Sequence, residues 1–297
     1  MEFEPPEFYV APLDGQRCVR MPGRFRRQRL PLPRFLPDDE GTERCFLCHP
    51  ERDPFDRGGF PDDQSPIRVL GNAYSFADRT LILAPWGESF HSRTPADLPV
   101  EVLKEWIRAT ISAELESRFD LKGFQPLIFL NVGRLAAQSR LHPHLQVVAF
   151  RQWNPKLVPW DRDSVEKDLV HADQEGRVLR PATRDVRWRA VVPARPSATA
   201  EIWIEGLKSD PDGDALLLVA HALRALCSAC ERGIGGSYNV VWVKEPPLLR
   251  LIPRGLSERA GLELISPAQL GSMVAASAEE TLDLWRTALA AGPNPDP

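Results

Sequence analysis

The residues with the most chemistry to offer lie in Ser139-Arg140-Leu141-His142-Pro143-His144-Leu145-Gln146, which runs straight into the apolar stretch Val147-Val148-Ala149-Phe150. Two of the chain's six histidines stand two apart here, with a glutamine two further on. In an extended segment residues i and i+2 share a face, so His144 and Gln146 project together, and His142 joins them if Pro143 keeps the chain extended. A neutral imidazole is nucleophilic on one nitrogen when the other donates its proton to a backbone carbonyl. His144 is then placed to attack an α-phosphorus and to hold a nucleoside monophosphate as a phosphoramidate. Gln146 and Ser139 would hydrogen-bond the phosphoryl oxygens as charge builds on them. A bare His-x-His is as readily a surface or packed pair, and these residues alone leave both readings open.

The elements that must position this cluster follow from hydrophobic periodicity. Residues 124–130 form a second apolar run, and Asn131-Val132-Gly133 supplies turn chemistry, so the histidines sit at the mouth of a hairpin. Further strands are expected near 67–70 and 80–85, and the 3–4 spacing of Val102, Leu103, Trp106, Ile107 and Ile111 predicts a helix over 100–119. The second half repeats the order, with strands at 186–192 and 200–204, a helix at 214–232 and strands at 238–243 and 248–252. We read this as an internal duplication on element order alone. Where the first copy has His-Pro-His-Leu-Gln, the second has Pro246-Pro247-Leu248-Leu249-Arg250. A closing amphipathic helix is expected over 267–290. The fold class is therefore α+β, divided into a catalytic half at 1–155 and a degenerate half at 156–297.

At 297 residues the chain can bury a substantial core. A net charge of −4 gives no footprint for a nucleic acid. No run of 18 apolar residues and no signal-like amino terminus is present, which predicts a soluble, cytoplasmic protein without a membrane partner. The 29 prolines, many in the first hundred residues and over 156–196, predict long ordered loops. Five cysteines in so long a chain are poor material for a disulfide framework. Cys227 and Cys230 lie in a helical run and read as packed apolar residues. Cys45-Phe46-Leu47-Cys48 alone is compatible with a zinc half-site, a redox pair or chance. Any further ligands would have to be histidines, for which His91, in a loop before the first helix, and His142 are the candidates.

The extended motif resembles the histidine-triad (HIT) superfamily, and within it the galactose-1-phosphate uridylyltransferase-like branch. That branch carries an Asn, a short glycine-containing loop, a Ser, then His-Pro-His-x-Gln, matched in order by Asn131, Gly133, Ser139, His142, Pro143, His144 and Gln146. The resemblance implies two tandem HIT-like units in a half-barrel-like arrangement, with antiparallel sheets and helices packed on one face. It implies that His144 becomes nucleotidylated, with Asn131, Gly133, Ser139 and Gln146 around the phosphate. Gln146 takes the place of a third histidine used by the hydrolase branches. The resemblance also implies a structural Zn²⁺ held tetrahedrally by Cys45, Cys48, His91 and His142. Arg24 and Arg27, three apart after a turn at 11–16, match a phosphate-binding arginine pair. Asn72 and Tyr74, in Val-x-Gly-Asn-x-Tyr, match a segment lining the nucleoside pocket. The family's acceptor segment survives only as Gly261 and Glu263, so Glu263 would hold sugar hydroxyls with Arg254, Arg250 or Arg259 as a substitute phosphate anchor. Many relatives keep histidines at the place of residues 246–250 for a second metal and none stands there here, and a homodimer is implied.

The expected activity is nucleotidyl transfer in two steps, from a nucleoside diphosphate sugar through His144 to a sugar 1-phosphate or related phosphorylated acceptor. Two alternatives stand beside it. One is a phosphorylase acting on a nucleotide sugar or dinucleoside polyphosphate with inorganic phosphate. The other is a nucleotide-binding protein without turnover.

Overall fold

The computed structural model describes residues 7–10, 17–20, 41–72, 77–136, 138, 140–150, 162–181, 187–194, 200–207, 213–243, 247–254 and 276–291. Among these, two short strands pair antiparallel, β1 (Glu7–Val10) with β2 (Arg17–Arg20), and the turn expected at 11–16 lies outside the described residues. Everything else is arranged on one antiparallel sheet of ten strands. The first half supplies β3 (Asp56–Gly59), β4 (Ile67–Gly71), β5 (Arg79–Pro85), β6 (Gln125–Val132) and β7 (Leu145–Phe150). The second supplies β8 (Val178–Leu179), β9 (Ala190–Val191), β10 (Ile202–Ile204), β11 (Ser237–Val243) and β12 (Leu248–Arg254).

The strand order is β3-β4-β5-β7-β6-β11-β12-β10-β9-β8, which reads the same from either end when each strand is exchanged for its counterpart in the other half. The two halves meet at β6 and β11, where Asn131 stands opposite Asn239. The register gives the correspondence residue by residue. Gln146 on β7 lies between Phe129 and Ile82, and Arg250 on β12 lies between Val241 and Trp203. Two residues earlier, fully buried Leu248 occupies the place that His144 has in the first half.

Alternation assigns the two sheet faces. Ile128, Leu130, Leu145, Val147, Tyr238, Val240, Leu249 and Leu251 point into one large core. Helices α1 (Val100–Ile111), α4 (Gly213–Ala229) and α5 (Ala278–Ala290) contribute their apolar stripes to that same core. Two helix tryptophans tie this layer to the sheet: Trp106 donates to the Leu83 carbonyl at 3.1 Å and Trp285 to the Ala200 carbonyl at 2.9 Å. α4 is long and apolar enough, with the turn that follows it, to cross a membrane by length and composition, yet half of that span is buried inside the fold. Its apolar character answers the core.

Several expectations need adjustment. The helix expected over 100–119 breaks at Ser112, whose backbone is extended and whose side chain accepts the Glu114 N–H, so α2 (Ala113–Arg118) starts afresh. The helix expected to end at 232 stops at Ala229 and widens into a π-helical turn, Cys230–Ile234, which keeps both Cys227 and Cys230 in the core. Region 156–196, expected to be loop, contains helix α3 (Arg162–His171), and α3 lies on the sheet face opposite the other helices, where Val165 and Leu169 cover Trp203, Val243 and Leu248. The strand expected at 186–192 is only Ala190–Val191, and of the closing helix only 278–290 lies among the described residues.

On the same α3-covered face, Arg250 Nε meets Glu201 Oε1 at 2.6 Å and Trp203 Nε1 donates to that oxygen at 2.7 Å. Glu201 is 1% and Arg250 9% exposed. Removing one member of such a buried pair leaves the other charge desolvated, so Glu201→Ala should cost about 3–5 kcal/mol in urea unfolding. A loss below about 1 kcal/mol, typical of a surface pair, would show that the network contributes little.

Candidate active site

The sequence-predicted site residues that the structure describes in the first half gather on the sheet face opposite helix α1. Leu70, Ile82 and Ala84 on this face pack with Cys45, Leu47 and Cys48, so the Cys-x-x-Cys loop is folded down onto β4 and β5. The backbone is tight here, with Cys48 N–H and His49 N–H both donating to the Cys45 carbonyl. His91 follows a short turn, Glu88–Phe90, and His142 arrives from the β6–β7 connection. The four side chains named from the sequence are brought together, with one ligand atom from each lying within 4.8 Å of every other. Cys48 Sγ is 3.3 Å from His91 Nδ1 and 3.4 Å from His142 Nδ1. A tetrahedral sulfur–metal–nitrogen edge is about 3.6 Å long, so these spacings suit a metal ion.

The donor set passes a chemical test as well. His142 Nε2–H donates to the Pro85 carbonyl at 2.7 Å, which turns Nδ1 toward the two sulfurs as an acceptor, the arrangement that ligand histidines adopt. Burial pushes the Cys48 thiol up to about 12, with neighbouring Cys45 acting in the same direction. It therefore keeps its proton unless a cation replaces it. The group Cys45, Cys48, His91 and His142 could hold a metal ion.

His144 follows directly. It is 7% exposed, and its Nδ1–H donates to the carbonyl of His142 at 3.0 Å. This fixes the tautomer that leaves Nε2 as the basic nitrogen. Gln146, two residues on, shares its face, half-buried between Phe129 and Ile82. One step beyond the Leu130–Leu145 pair, Asn131 reaches the register position of His144 on the neighbouring strand. Asn131 Oδ1 accepts from Asn239 Nδ2 at 2.7 Å.

Gly133 follows β6 with φ +80°, and a Cβ there would fall 2.3 Å from Ser237 Oγ. Its N–H donates to Gln138 Oε1 at 2.7 Å, and Gln138 Nε2 donates to the Arg140 carbonyl at 2.7 Å. Gly133 and Gln138 thus close the loop that delivers His142. Asn72, just past β4, lies on the His144 face but roughly 13 Å away along the strands, four residue steps from the level of His144. Arg254 ends β12, and its Nε donates to Asn239 Oδ1 at 2.6 Å. Ser139, Arg24, Arg27, Tyr74 and Glu263 lie outside the described residues. Gln138 and Asn239 were not singled out from the sequence. The one signal for Asn239 was a polar residue inside the apolar run 238–243.

With this geometry in hand, likeness to known proteins can be weighed. No protein-family model matches the sequence, and no curated protein matches it either. Solved structures do. A uridylyltransferase structure superposes with a TM-score of 0.64 at 17% identity, covering 96% of this chain and 98% of that one. The chain has the fold of that uridylyltransferase. An ADP-glucose phosphorylase from Arabidopsis thaliana with bound ADP-glucose gives 0.64 at 15% identity over 95% of this chain and 98% of that one. A galactose-1-phosphate uridylyltransferase-like protein of the same plant gives 0.65 at 16% identity over 83% and 92%. The palindromic ten-stranded sheet therefore belongs to a fold shared by transferases and phosphorylases.

Two outcomes are expected. Cys48→Ser should lose bound metal, read by metal analysis of the purified protein, and lower the melting midpoint by several degrees. In metal-stripped protein a pH dependence should also appear. His142 is held at about 4 instead of 6.5, chiefly because burial disfavours its cation. Between those values the unfolded chain binds a proton that the folded chain does not, so stability falls as pH drops through that window and is level above it. A melting midpoint unchanged from pH 7 down to the lower value would contradict this.

Proposed function

We propose that the protein is a nucleotidyltransferase that carries a nucleoside monophosphate on His144. The observation that carries this reading is the 3.0 Å bond from His144 Nδ1–H to the His142 carbonyl, which leaves Nε2 as the basic nitrogen on the sheet face shared with Gln146 and Asn131. Nε2 attacks the α-phosphorus of a nucleoside diphosphate sugar, a nitrogen–phosphorus bond forms, and the phosphorus–oxygen bond to the distal phosphate breaks. The sugar phosphate leaves as an anion and takes no proton. In the second step a phosphate oxygen of the acceptor attacks the same phosphorus and His144 is released as the neutral imidazole.

Gln146, Ser139 and Asn131 stabilise the charge on the phosphoryl oxygens, with Arg24 and Arg27 on the flanking phosphate. Gly133 shapes the loop beside them. A nucleotide lying along the strands with its phosphate at His144 directs its base toward Asn72 and Tyr74. Arg254 and Glu263 take the acceptor. Cys45, Cys48, His91 and His142 hold Zn²⁺; with four protein ligands the ion locks the loop and leaves no position for substrate. The catalytic half is 1–155, and 156–297 completes the sheet and the acceptor side.

A phosphorylase reading has its own support. The acceptor segment keeps only Gly261 and Glu263 of the family pattern, and one structural relative is an ADP-glucose phosphorylase. Inorganic phosphate would then be the attacking group on the same adduct.

The test is to incubate the protein with a panel of nucleotide sugars and weigh the intact chain. The expected result is a mass gain of one nucleoside monophosphate that is acid-labile and absent in His144→Ala. No adduct in the wild type, or an adduct that survives in His144→Ala, would overturn the reading. Chasing the adduct with inorganic phosphate against hexose phosphates separates phosphorylase from transferase. Gln146→His should shift the fate of the adduct toward water, because an imidazole there can pass a proton that an amide cannot. Unchanged hydrolysis relative to transfer would show that residue 146 does not control the choice.

A further inference from the structure

Asn239, from the half that lacks the His-Pro-His motif, is bound into a line of side chains that ends at Asn131, level with His144 on the neighbouring strand. Arg254 Nε lies 2.6 Å from Asn239 Oδ1, and Asn239 Nδ2 lies 2.7 Å from Asn131 Oδ1 and 3.2 Å from the Ala136 carbonyl. Asn131 in turn stands at the register position of His144, on the same face.

The polarity of this line is forced by its two fixed ends. A guanidinium can only donate and a backbone carbonyl can only accept. Asn239 must therefore turn its oxygen to Arg254 and its NH₂ to Ala136, and with that NH₂ also facing Asn131, the Asn131 atom it meets must be the oxygen. Both amide orientations follow from chemistry, independent of how oxygen and nitrogen are assigned. The Asn131 NH₂ is then the donor end of a relay that begins at a permanent positive charge. Hydrogen bonds in series polarise one another, and the effect is greatest where water is scarce.

Building on the functional reading above, we propose that Asn239 is a positioning residue for nucleotidyl transfer. It holds the Asn131 amide as a donor toward the phosphoryl group on His144 and ties that donor to the charge of Arg254. The relay crosses the seam between the halves, from β12 through β11 to β6, so the degenerate half sets the orientation of a group in the active one. The donor is fixed before substrate arrives and needs no reorganisation as charge develops.

Asn239→Asp is the discriminating variant. It keeps the size of the side chain and still accepts from Arg254, but it offers no donor to Asn131 or Ala136. The Asn131 amide then turns over to donate to the new carboxylate, and its oxygen faces the phosphate. Single-turnover formation of the His144 adduct should slow by about 100-fold, with nucleotide affinity changed by less than about threefold, because the donor matters most as charge builds. In the Asn131→Ala background the same substitution should cost nothing further.

An unchanged rate in Asn239→Asp, or losses that multiply in the double variant, would overturn the relay. If Asn239→Asp lowers the melting midpoint, Asn239→Ala is read in its place. A fall of about tenfold in kcat at constant KM supports the relay, and an equal loss in both, or none, overturns it. Wild-type protein that forms no adduct sinks the functional reading and the relay with it. An adduct that forms at the same rate in wild type and variant sinks the relay alone.

Discussion

The site depends on residue 142 being held from two sides at once. Its ring is pinned through Nε2–H to the Pro85 carbonyl and through Nδ1 against the Cys48 sulfur, while its own backbone carbonyl accepts the proton of His144. The group that defines the nucleophile's tautomer is thus the backbone of a residue that belongs to the ligand cluster. Any shift of the cluster moves that carbonyl, and a movement of about 0.5 Å is enough to spoil a preorganised reactive geometry. On the proposed reading of His144, this accounts for a set of side chains that would hold a metal ion standing two residues from the nucleophile. It acts on the nucleophile by geometry, through two residues of chain.

The same face of the sheet is treated differently in the two halves. In the first half it carries polar His144, Gln146 and Asn131, and the Cys-x-x-Cys loop packs on β4 and β5. In the second half Leu248 replaces the nucleophile, Arg250 replaces the glutamine, and α3 lies across the face with Val165 and Leu169 inward. A buried guanidinium there requires a carboxylate, which Glu201 supplies at 2.6 Å. Loss of chemistry in the second copy is thus matched by gain of packing. The copy cannot simply be shed, because β11 pairs with β6 along its length and otherwise the central strand of the sheet would become an edge.

How far the sequence could be read depended on whether a feature was local. The ligand set at 45, 48, 91 and 142 was legible through the family resemblance, since the Cys-x-x-Cys pair alone left three readings open, and the structure brings those atoms together. The duplication was legible because helix and strand periods survive loss of residue identity. The break at Ser112 was not, because one serine capping a new helix looks like any other polar position in an amphipathic pattern. Helix α3 was missed because its surroundings are rich in proline, and its apolar contacts are with β10, β11 and β12, far along the chain. Asn239 was missed for the same physical reason. Its partners are Arg254, Asn131 and Ala136, and the value of an amide on a strand is set by what lies across the sheet, on which periodicity is silent.

Gln146 draws these threads together on the chemical side. Where both the leaving group and the incoming group are phosphates, each is already an anion, and nothing in either step needs a proton delivered or removed. A histidine at that position would add an acid that also serves water. An amide supplies hydrogen bonds to the phosphoryl oxygens and no acid. The surroundings agree with that division of labour. The proton on His144 Nδ1 is committed to a backbone carbonyl, and the adjoining imidazole, His142, is held neutral by burial, with its Nε2–H engaged by Pro85. Among the described residues the nearest imidazoles are thus engaged in fixing positions, and neither is arranged to shuttle protons. On the proposed nucleotidyl-transfer reading, imidazoles engaged in this way would favour transfer between phosphates over hydrolysis.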